Sequence, residues 1–279
     1  MASILDRYGI KEVADVTFYE LGSDGKPTKP VLYLDTLKVS TIEQSAEQAE
    51  ARGGKGNPPL IIWDYGKEIN VTLEDALFSA KSMAIMFGNG AVKSYSGNTA
   101  YIMRTEEFIA TSNAAASAAG WVSTYEGPDG ATYSKINPKF YTAAGASVED
   151  TATLSKGEKY FCSYDLLTQN AGVIEISAAS FPGTYYVTGD TYARSEASGK
   201  DEFFQFIIPK AKMNAENTIT LEAEGDPSVF NMSLRVMRPA DGVMMKLVKY
   251  DLANGTAASE SSTATLIHNH TLEGTNDNQ

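Results

Sequence analysis

Histidine occurs only twice in the 279 residues, as His268 and His270 near the end of the chain, and cysteine once, as Cys162. A single cysteine forms no internal disulfide, so nothing ties the fold to an oxidising compartment. Without a central histidine, a Ser-His-Asp or Cys-His nucleophile has no general base, and Cys162 beside Phe161 reads as a core or half-buried thiol. Two histidines in a polar tail, with no cysteine cluster, argue against a transition-metal site. No apolar run approaches membrane-spanning length, and the opening MASILDRYGIKEVADV lacks a basic region followed by an apolar one. Basic residues are also in deficit: the net charge is −12, which excludes clamping nucleic acid through its phosphates. These absences predict a chain with no catalytic site, metal or cofactor, folded in the cytoplasm and not exported by the general route.

What is there is ordinary for a folded protein: 43% hydrophobic and 21% charged residues. Carboxylates are the remaining source of chemistry. Glu74 and Asp75 adjoin at the expected start of a helix, where the helix dipole explains acids. Asp64 and Asp226 sit at strand ends, as a glycosidase pair would, yet every large β protein offers such pairs. The Asn-x-Ser/Thr sequons at Asn70, Asn231, Asn254 and Asn269 carry no weight without an export signal. The glycine-rich Arg52 to Pro59 stretch opens no helix and lacks the Gly-Lys-Ser/Thr ending of a phosphate cradle.

The pattern is organised around Leu60 to Gly88. Ile69, Val71 and Leu73 alternate with Glu68, Asn70 and Thr72, the signature of a strand with one buried and one wet face. From Leu73 the apolar residues fall at Ala76, Leu77, Ala80, Met83, Ala84 and Phe87, which predicts a helix of about four turns packed on its apolar stripe. Thr72 with Asp75 resembles a capping box, and Gly88-Asn89-Gly90 supplies a left-handed stop. Before it, Val13–Leu21 and Pro30–Ser40 read as strands around a turn at Gly22–Pro27, the second bending at Asp35-Thr36. Thr41 to Pro59, polar and then glycine-rich, reads as a flexible hairpin loop.

Residues 91–157, rich in Ala, Ser and Gly, read as an inserted β excursion or small subdomain between a first core part (1–90) and a second (158–252), followed by a flexible tail (253–279). Within the insertion, Gly127–Gly130 marks a hairpin turn between Trp121–Tyr125 and Ala131–Lys135. Strands then return at Tyr160–Leu167, Gly172–Ala178 with Ile174 and Ile176 inward, Thr184–Tyr192, Glu202–Ile208, Thr218–Glu222, Val229–Met237 and Val243–Tyr250. In Val229–Met237 the apolar Phe230, Met232, Leu234 and Val236 share one face and Asn231, Ser233 and Arg235 the other. Many strands and one helix predict a mainly β fold, an antiparallel β-sandwich or barrel with one packed α-helix.

Ser198 to Pro239 (SGKDEFFQFIIPKAKMNAENTITLEAEGDPSVFNMSLRVMRP) resembles the C-terminal half of major tail tube proteins of tailed bacteriophages. The resemblance rests on FIIPKAK (Phe206 to Lys212), AEGDP (Ala223 to Pro227) and the preceding YYVTGDT (Tyr185 to Thr191). RGGKGNPPLIIWDYGKEINVTLEDALFS is similar to the loop, hairpin strand and helix of the same family. The resemblance implies a structural virion protein and no enzyme: hexameric rings whose sheets join into an inner β-barrel, stacked into a conduit for genome delivery. It implies a homo-oligomer in the phage tail, assembled in the host cytoplasm. It further implies contacts with initiator or baseplate, tape-measure, terminator and sheath proteins. Genomic DNA would pass through without specific binding, and no membrane is involved.

On that reading an acidic lumen repels phosphate, although a charge of −12 equally serves solubility. The lumen-facing candidates are the wet faces of the long strands, Glu68, Asn70, Thr72, Asn231 and Ser233. Ring stacking falls to the loop Glu43 to Asn57, with Glu43, Glu47, Glu50, Arg52, Lys55 and Asn57, and to the segment Ile4 to Ile10. Two alternatives stay open. One is a single-ring tail protein of the distal tail, baseplate or completion type. The other is a carbohydrate-binding sandwich with Trp63, Trp121 and the tyrosines as a stacking platform.

Overall fold

The computed structural model describes residues 7–77, 79–88, 91–216 and 229–250. It is mainly β and antiparallel, with one α-helix among the described residues, and it divides into two compact units. The first comprises residues up to Val92 and those from Ile174 onward; the second is Lys93–Val173.

In the first unit, strands β1 (Tyr8–Ile10), β2 (Asp15–Leu21), β3 (Pro27–Leu34), β4 (Leu37–Arg52) and β5 (Pro59–Asp75) precede helix α1 (Ala80–Phe87). After the second unit come β12 (Thr184–Ser195), β13 (Asp201–Met213), β14 (Phe230–Val236) and β15 (Lys246–Tyr250). The sheet order is β3-β2-β12-β13-β14-β5-β4, with β1 joining β12 and β15 joining β13. Leu32 and Leu34 at one edge share a single buried cluster with Leu37 and Val71 at the other. The sheet therefore folds over on itself as a sandwich does, without closing into a barrel, and the outer faces of its two layers point apart. The alternation read in β14 is what builds this core: Phe230, Met232, Leu234 and Val236 are all buried. Ile85 and Met86 of α1 plug the same cluster.

Five expectations are corrected. The helix is eight residues long, because Leu73 and Asp75 continue the buried alternation of β5 and are held by pairing to Met232 and Phe230 on one side and Ser40 and Leu37 on the other. Its N-cap is Ser79, whose hydroxyl accepts from the Ser82 amide (3.1 Å) while Ser82 Oγ accepts from the Ser79 amide (2.8 Å), a capping box made by two serines in place of Thr72 and Asp75. Asp75 instead accepts from Thr36 Oγ1 (2.5 Å) and clasps the bend before β4. The stop is not left-handed at Gly88, whose φ of −169° is extended backbone. The polar Thr41 to Ala51 stretch is no loop but most of β4, and the turn is confined to residues 53–58. Beyond Val173, residues 174–183 form no strand, and Ile176 is exposed.

The second unit contains β6 (Lys93–Ile109), β7 (Thr124–Glu126), β8 (Thr132–Ser134), β9 (Ile136–Thr142), β10 (Ser147–Val148) and β11 (Lys159–Val173). Its sheet runs β10-β9-β11-β6, beside a β7–β8 hairpin turned at Gly127–Gly130. The strand read at Tyr160–Leu167 as part of the second core region lies here, paired along β6 from Ile109 to Lys93. The small-residue stretch supplies Ala110, Ala116 and Ala119 to a second core around Trp121, Phe140, Leu154 and Cys162. The strand read at Thr218–Glu222, the turn at Gly225–Pro227 with Asp226, the AEGDP motif, the tail histidines and Ile4 to Asp6 lie outside the described residues.

Candidate assembly surfaces

Two surfaces carry the candidate residues, and both belong to the first unit. On the outer face of the β14-β5-β4 layer, Ser233 lies opposite Thr72, which lies opposite Thr41. In the next row, Arg235, Asn70 and Glu43 are aligned across the same three strands. Ser45 then faces Glu68, and Asn231 faces Glu74. All five lumen candidates thus share one polar face. Alternation sends the intervening Ile69, Val71 and Leu73 into the core. Glu43, read as a stacking residue, sits on this face as well.

Arg235, absent from the candidate set, decides the charge of this surface. Its guanidinium donates to Glu68 Oε1, and Lys212 pairs opposite Arg235 and donates to the Pro182 carbonyl. Asn214 Nδ2 donates to Ser233 Oγ at 3.0 Å. The face is consequently a mixture of amides, hydroxyls, the Glu68–Arg235 ion pair, the Lys212 ammonium and the carboxylates of Glu43 and Glu74 instead of a uniformly acidic wall.

The second surface is the β4–β5 hairpin. Its turn is closed by Gly53 N to Pro58 O (3.3 Å) and Asn57 N to Gly54 O (3.1 Å), with Gly54, Gly56 and Asn57 all at positive φ. Every residue from Thr41 to Glu50 on β4 and from Pro59 to Lys67 on β5 is exposed, so this ribbon projects beyond its own core. The register slips between Ser45 and Glu47, opposite Gly66 at φ 62°. That is a glycine-stabilised bulge: two β5 residues face one on β4, and the side-chain parity of β5 reverses. Below Gly66 the odd-numbered residues of β5 enter the core. Above it Ile61, Trp63 and Tyr65 lie with Ala49, Ala51 and Glu47 on the opposite side of the ribbon. Trp63 and Tyr65 are each 53% exposed. The other side is polar, with Gln48 Nε2 donating to Asp64 (2.9 Å) and Arg52 paired with Glu50 (2.5 Å), although Ile62 also lies there.

The stacking candidates accordingly occupy a strand and its tip: Glu47, Glu50 and Arg52 on β4, Lys55 and Asn57 in the turn. Sequence reasoning gave Trp63 a place only in the carbohydrate-platform alternative and did not see Ile61, Trp63 and Tyr65 as one exposed row, because an apolar run reads as buried. The glycine-rich turn cue at Gly53–Pro58, with the equal lengths on either side, was the signal for a long two-stranded ribbon.

The model of the YomU/Tube protein family matches residues 8–249. The chain belongs to this family. It is also similar to the tail tube protein of Bacillus phage SPR, at 33% identity over 79 residues. That stretch is 28% of this chain and 28% of the phage protein. Both findings bear out the resemblance to phage tail tube proteins. As a YomU/Tube family member the chain is a candidate for assembly.

The remaining sequence-flagged groups have structural occupations. Trp121 is buried in the second unit, donating from Nε1 to Glu106 Oε1 at 2.9 Å. The same oxygen receives Lys135 Nζ at 2.5 Å. The Lys135 ammonium lies 4.9 Å from the Tyr164 ring centroid and 5.6 Å from that of Trp121. Cys162 is buried beside this network, and burial pushes its thiol up to about 11. Trp63 belongs to the first unit, where it is exposed, and Trp121 to the second, where it is buried.

Proposed function

We propose that the chain is a structural subunit of a phage tail tube, closing into rings, most simply hexameric, that stack into a conduit for the genome. The observation that carries the reading is the β4–β5 hairpin, a ribbon with an apolar side that finds no cover among the described residues of its own chain. An exposed two-stranded ribbon of this length is an open edge and an open face at once, and closure with other copies removes both hazards. Family membership and the likeness to the phage SPR tail tube protein support the same assignment.

In this reading Glu68, Asn70, Thr72, Asn231 and Ser233 line the lumen. Hydroxyls, amides and the carboxylates of Glu43 and Glu74, with Arg235 held by Glu68 and Lys212 by the Pro182 carbonyl, give a DNA backbone no free cation cluster to bind and no greasy wall to wet. Glu47, Glu50, Arg52, Lys55 and Asn57 reach the neighbouring ring, and other tail proteins would cap or fill the tube. The protein would be found in the virion tail, after assembly in the host cytoplasm, with no catalytic role.

Negative-stain electron microscopy over a concentration series tests this. Hollow filaments are expected. Single rings that never stack would point to a distal-tail or baseplate protein instead. A chain that stays monomeric at every concentration, also in the presence of preformed tail initiator complexes, would overturn the reading.

A further inference from the structure

The outer face of the other sandwich layer carries a charge conflict with a cleft beside it. Asp190 of β12 and Asp15 of β2 are directly opposed across adjacent strands, where like charges destabilise a sheet. Asp35 follows β3 close by, and the field of the three pushes the Tyr33 phenol up from its ordinary value, Asp15 contributing most. Tyr33 donates to Asp15 Oδ2 at 3.3 Å and Gln205 Nε2 to Asp190 Oδ1 at 2.7 Å, both neutral donors. Among the described residues no cationic side chain pairs with any of the three carboxylates.

The cleft, of about 300 Å³, is lined by Tyr19, Tyr186, Thr188, Gln205 and Asp190 itself. Tyr19 and Tyr186 meet edge to face, ring centroids 6.1 Å apart, and form its aromatic wall. Thr188 stands two residues before Asp190 on the same side of β12 and is only 9% exposed, yet its hydroxyl has no hydrogen-bond partner among the described residues. A hydroxyl withdrawn that far from bulk water costs stability unless something in the cleft bonds to it. Gln205, having spent an N–H on Asp190, keeps Oε1 as a second acceptor.

Unpaired carboxylates favour a cation, the free oxygens favour N–H donors, and the aromatic wall favours methylenes or an ammonium group. A metal ion is not matched, because among the described residues no three carboxylate, imidazole or thiolate groups come together to hold one. A neutral sugar would leave the Asp15–Asp190 repulsion standing. We infer that the cleft binds a linear polyamine, with one ammonium against Asp15 and Asp190, the methylene chain along Tyr19 and Tyr186, and N–H groups donated to Thr188 Oγ1 and Gln205 Oε1. The site belongs to the first unit alone and does not rest on the tube reading. Occupancy relieves the repulsion between the two aspartates, so the ligand stabilises the fold that binds it.

Calorimetric titration of putrescine into the full-length chain, at low ionic strength and below any concentration at which it assembles, tests the site. Saturable binding and a higher melting temperature are expected. Asp190→Asn should weaken binding about tenfold or more and Thr188→Val about fivefold, for the loss of a charged and of a neutral acceptor. Neither should lower the melting temperature of the ligand-free chain, since one removes the repulsion and the other an unpartnered hydroxyl. If Asp190→Asn does not fold, Asp15→Asn replaces it with the same expected loss. Glu149→Gln with Asp150→Asn takes charge from the second unit and should leave binding unchanged. Magnesium binding as tightly as putrescine, or equal losses in the Asp190 and the Glu149/Asp150 variants, would reduce the effect to counter-ions gathering on an acidic protein and overturn the site. Saturable binding of methyl glucoside with none of putrescine would overturn it in favour of a sugar.

Discussion

Gly189 of β12 lies directly beneath the ring of Phe206, its cross-strand partner on β13: a Cβ at position 189 would come within 2.1 Å of the Phe206 Cε1 and Cζ atoms. Phe206 is itself buried in the first unit's core, so the ring has no free direction in which to retreat. The missing side chain is thus part of the packing, as when an aromatic residue covers a strand glycine. Gly189→Ala should destabilise the first unit by about 1–3 kcal/mol, the usual cost of forcing extra volume into a packed core. Urea unfolding reads this directly, and an unchanged midpoint would refute the packing argument.

Lys135→Met tests the polar centre of the second unit. The substitution keeps most of the volume but strips the ammonium from Glu106, leaving that carboxylate with Trp121 and a long contact to Tyr164. Glu106 retains some solvent contact, so the expected loss is roughly 2 kcal/mol, below the cost of breaking a fully buried pair. Trp121 fluorescence should shift red at lower denaturant; Glu106→Gln, which keeps an acceptor for the indole but leaves the more deeply buried Lys135 ammonium without a counter-charge, should cost at least as much.

Cys162 gives a pH dependence with a defined sign. Its folded pKa of about 11 lies above the ordinary thiol value of 9.0, raised chiefly by burial. The stability it contributes is therefore complete below the unfolded pKa and lost as pH climbs from 9 towards 11. Cys162→Ala should flatten that alkaline loss. In the native protein the thiol should resist a disulfide reagent at pH 8 and react only on unfolding.

Gly66→Val addresses the bulge. A β-branched residue in the left-handed region costs on the order of 1–2 kcal/mol, but the strain falls in a ribbon outside the core. The melting temperature of the first unit should barely move. Tube formation should be impaired, because the relief of that strain returns β5 to its unbulged parity and moves Trp63 and Tyr65 to the other side of the ribbon. Tubes of normal length and abundance from this variant would count against the role of the bulge.

Deleting Gln48 to Lys55 removes the ribbon's outer β4 half and part of its turn without touching a core residue. Folded subunits that no longer stack are the expected product, as judged by circular dichroism and electron microscopy; stacked tubes would show that ring contacts lie elsewhere.

Period-two alternation made Val13–Leu21 and Val229–Met237 legible as strands, because each has a neighbour on both edges and one face in the core, and burial then writes itself into the residue pattern. The common polar side of Glu68, Asn70 and Thr72 was readable for the same reason. The turn at Gly127–Gly130 was legible from its local chemistry. The family likeness, too, was already carried by short ordered segments.

What the pattern could not decide were the places where long-range pairing overrules local preference. Leu73 to Asp75 suits a helix, but hydrogen bonds to β14 and β4 draw it into the sheet, so the helix begins at Ala80. EQSAEQAEAR has neither alternation nor β-branched side chains and becomes a strand only because LIIWDY lies beside it, pairing backbone with backbone. The side on which Trp63 emerges depends on one left-handed glycine, and the opposition of Asp15 to Asp190 on a register set 175 residues apart in sequence. Residue type and spacing determined which faces are wet and which are dry. Only the tertiary fold decided which wet faces stand together, because backbone hydrogen bonds between distant segments are indifferent to the side chains they align.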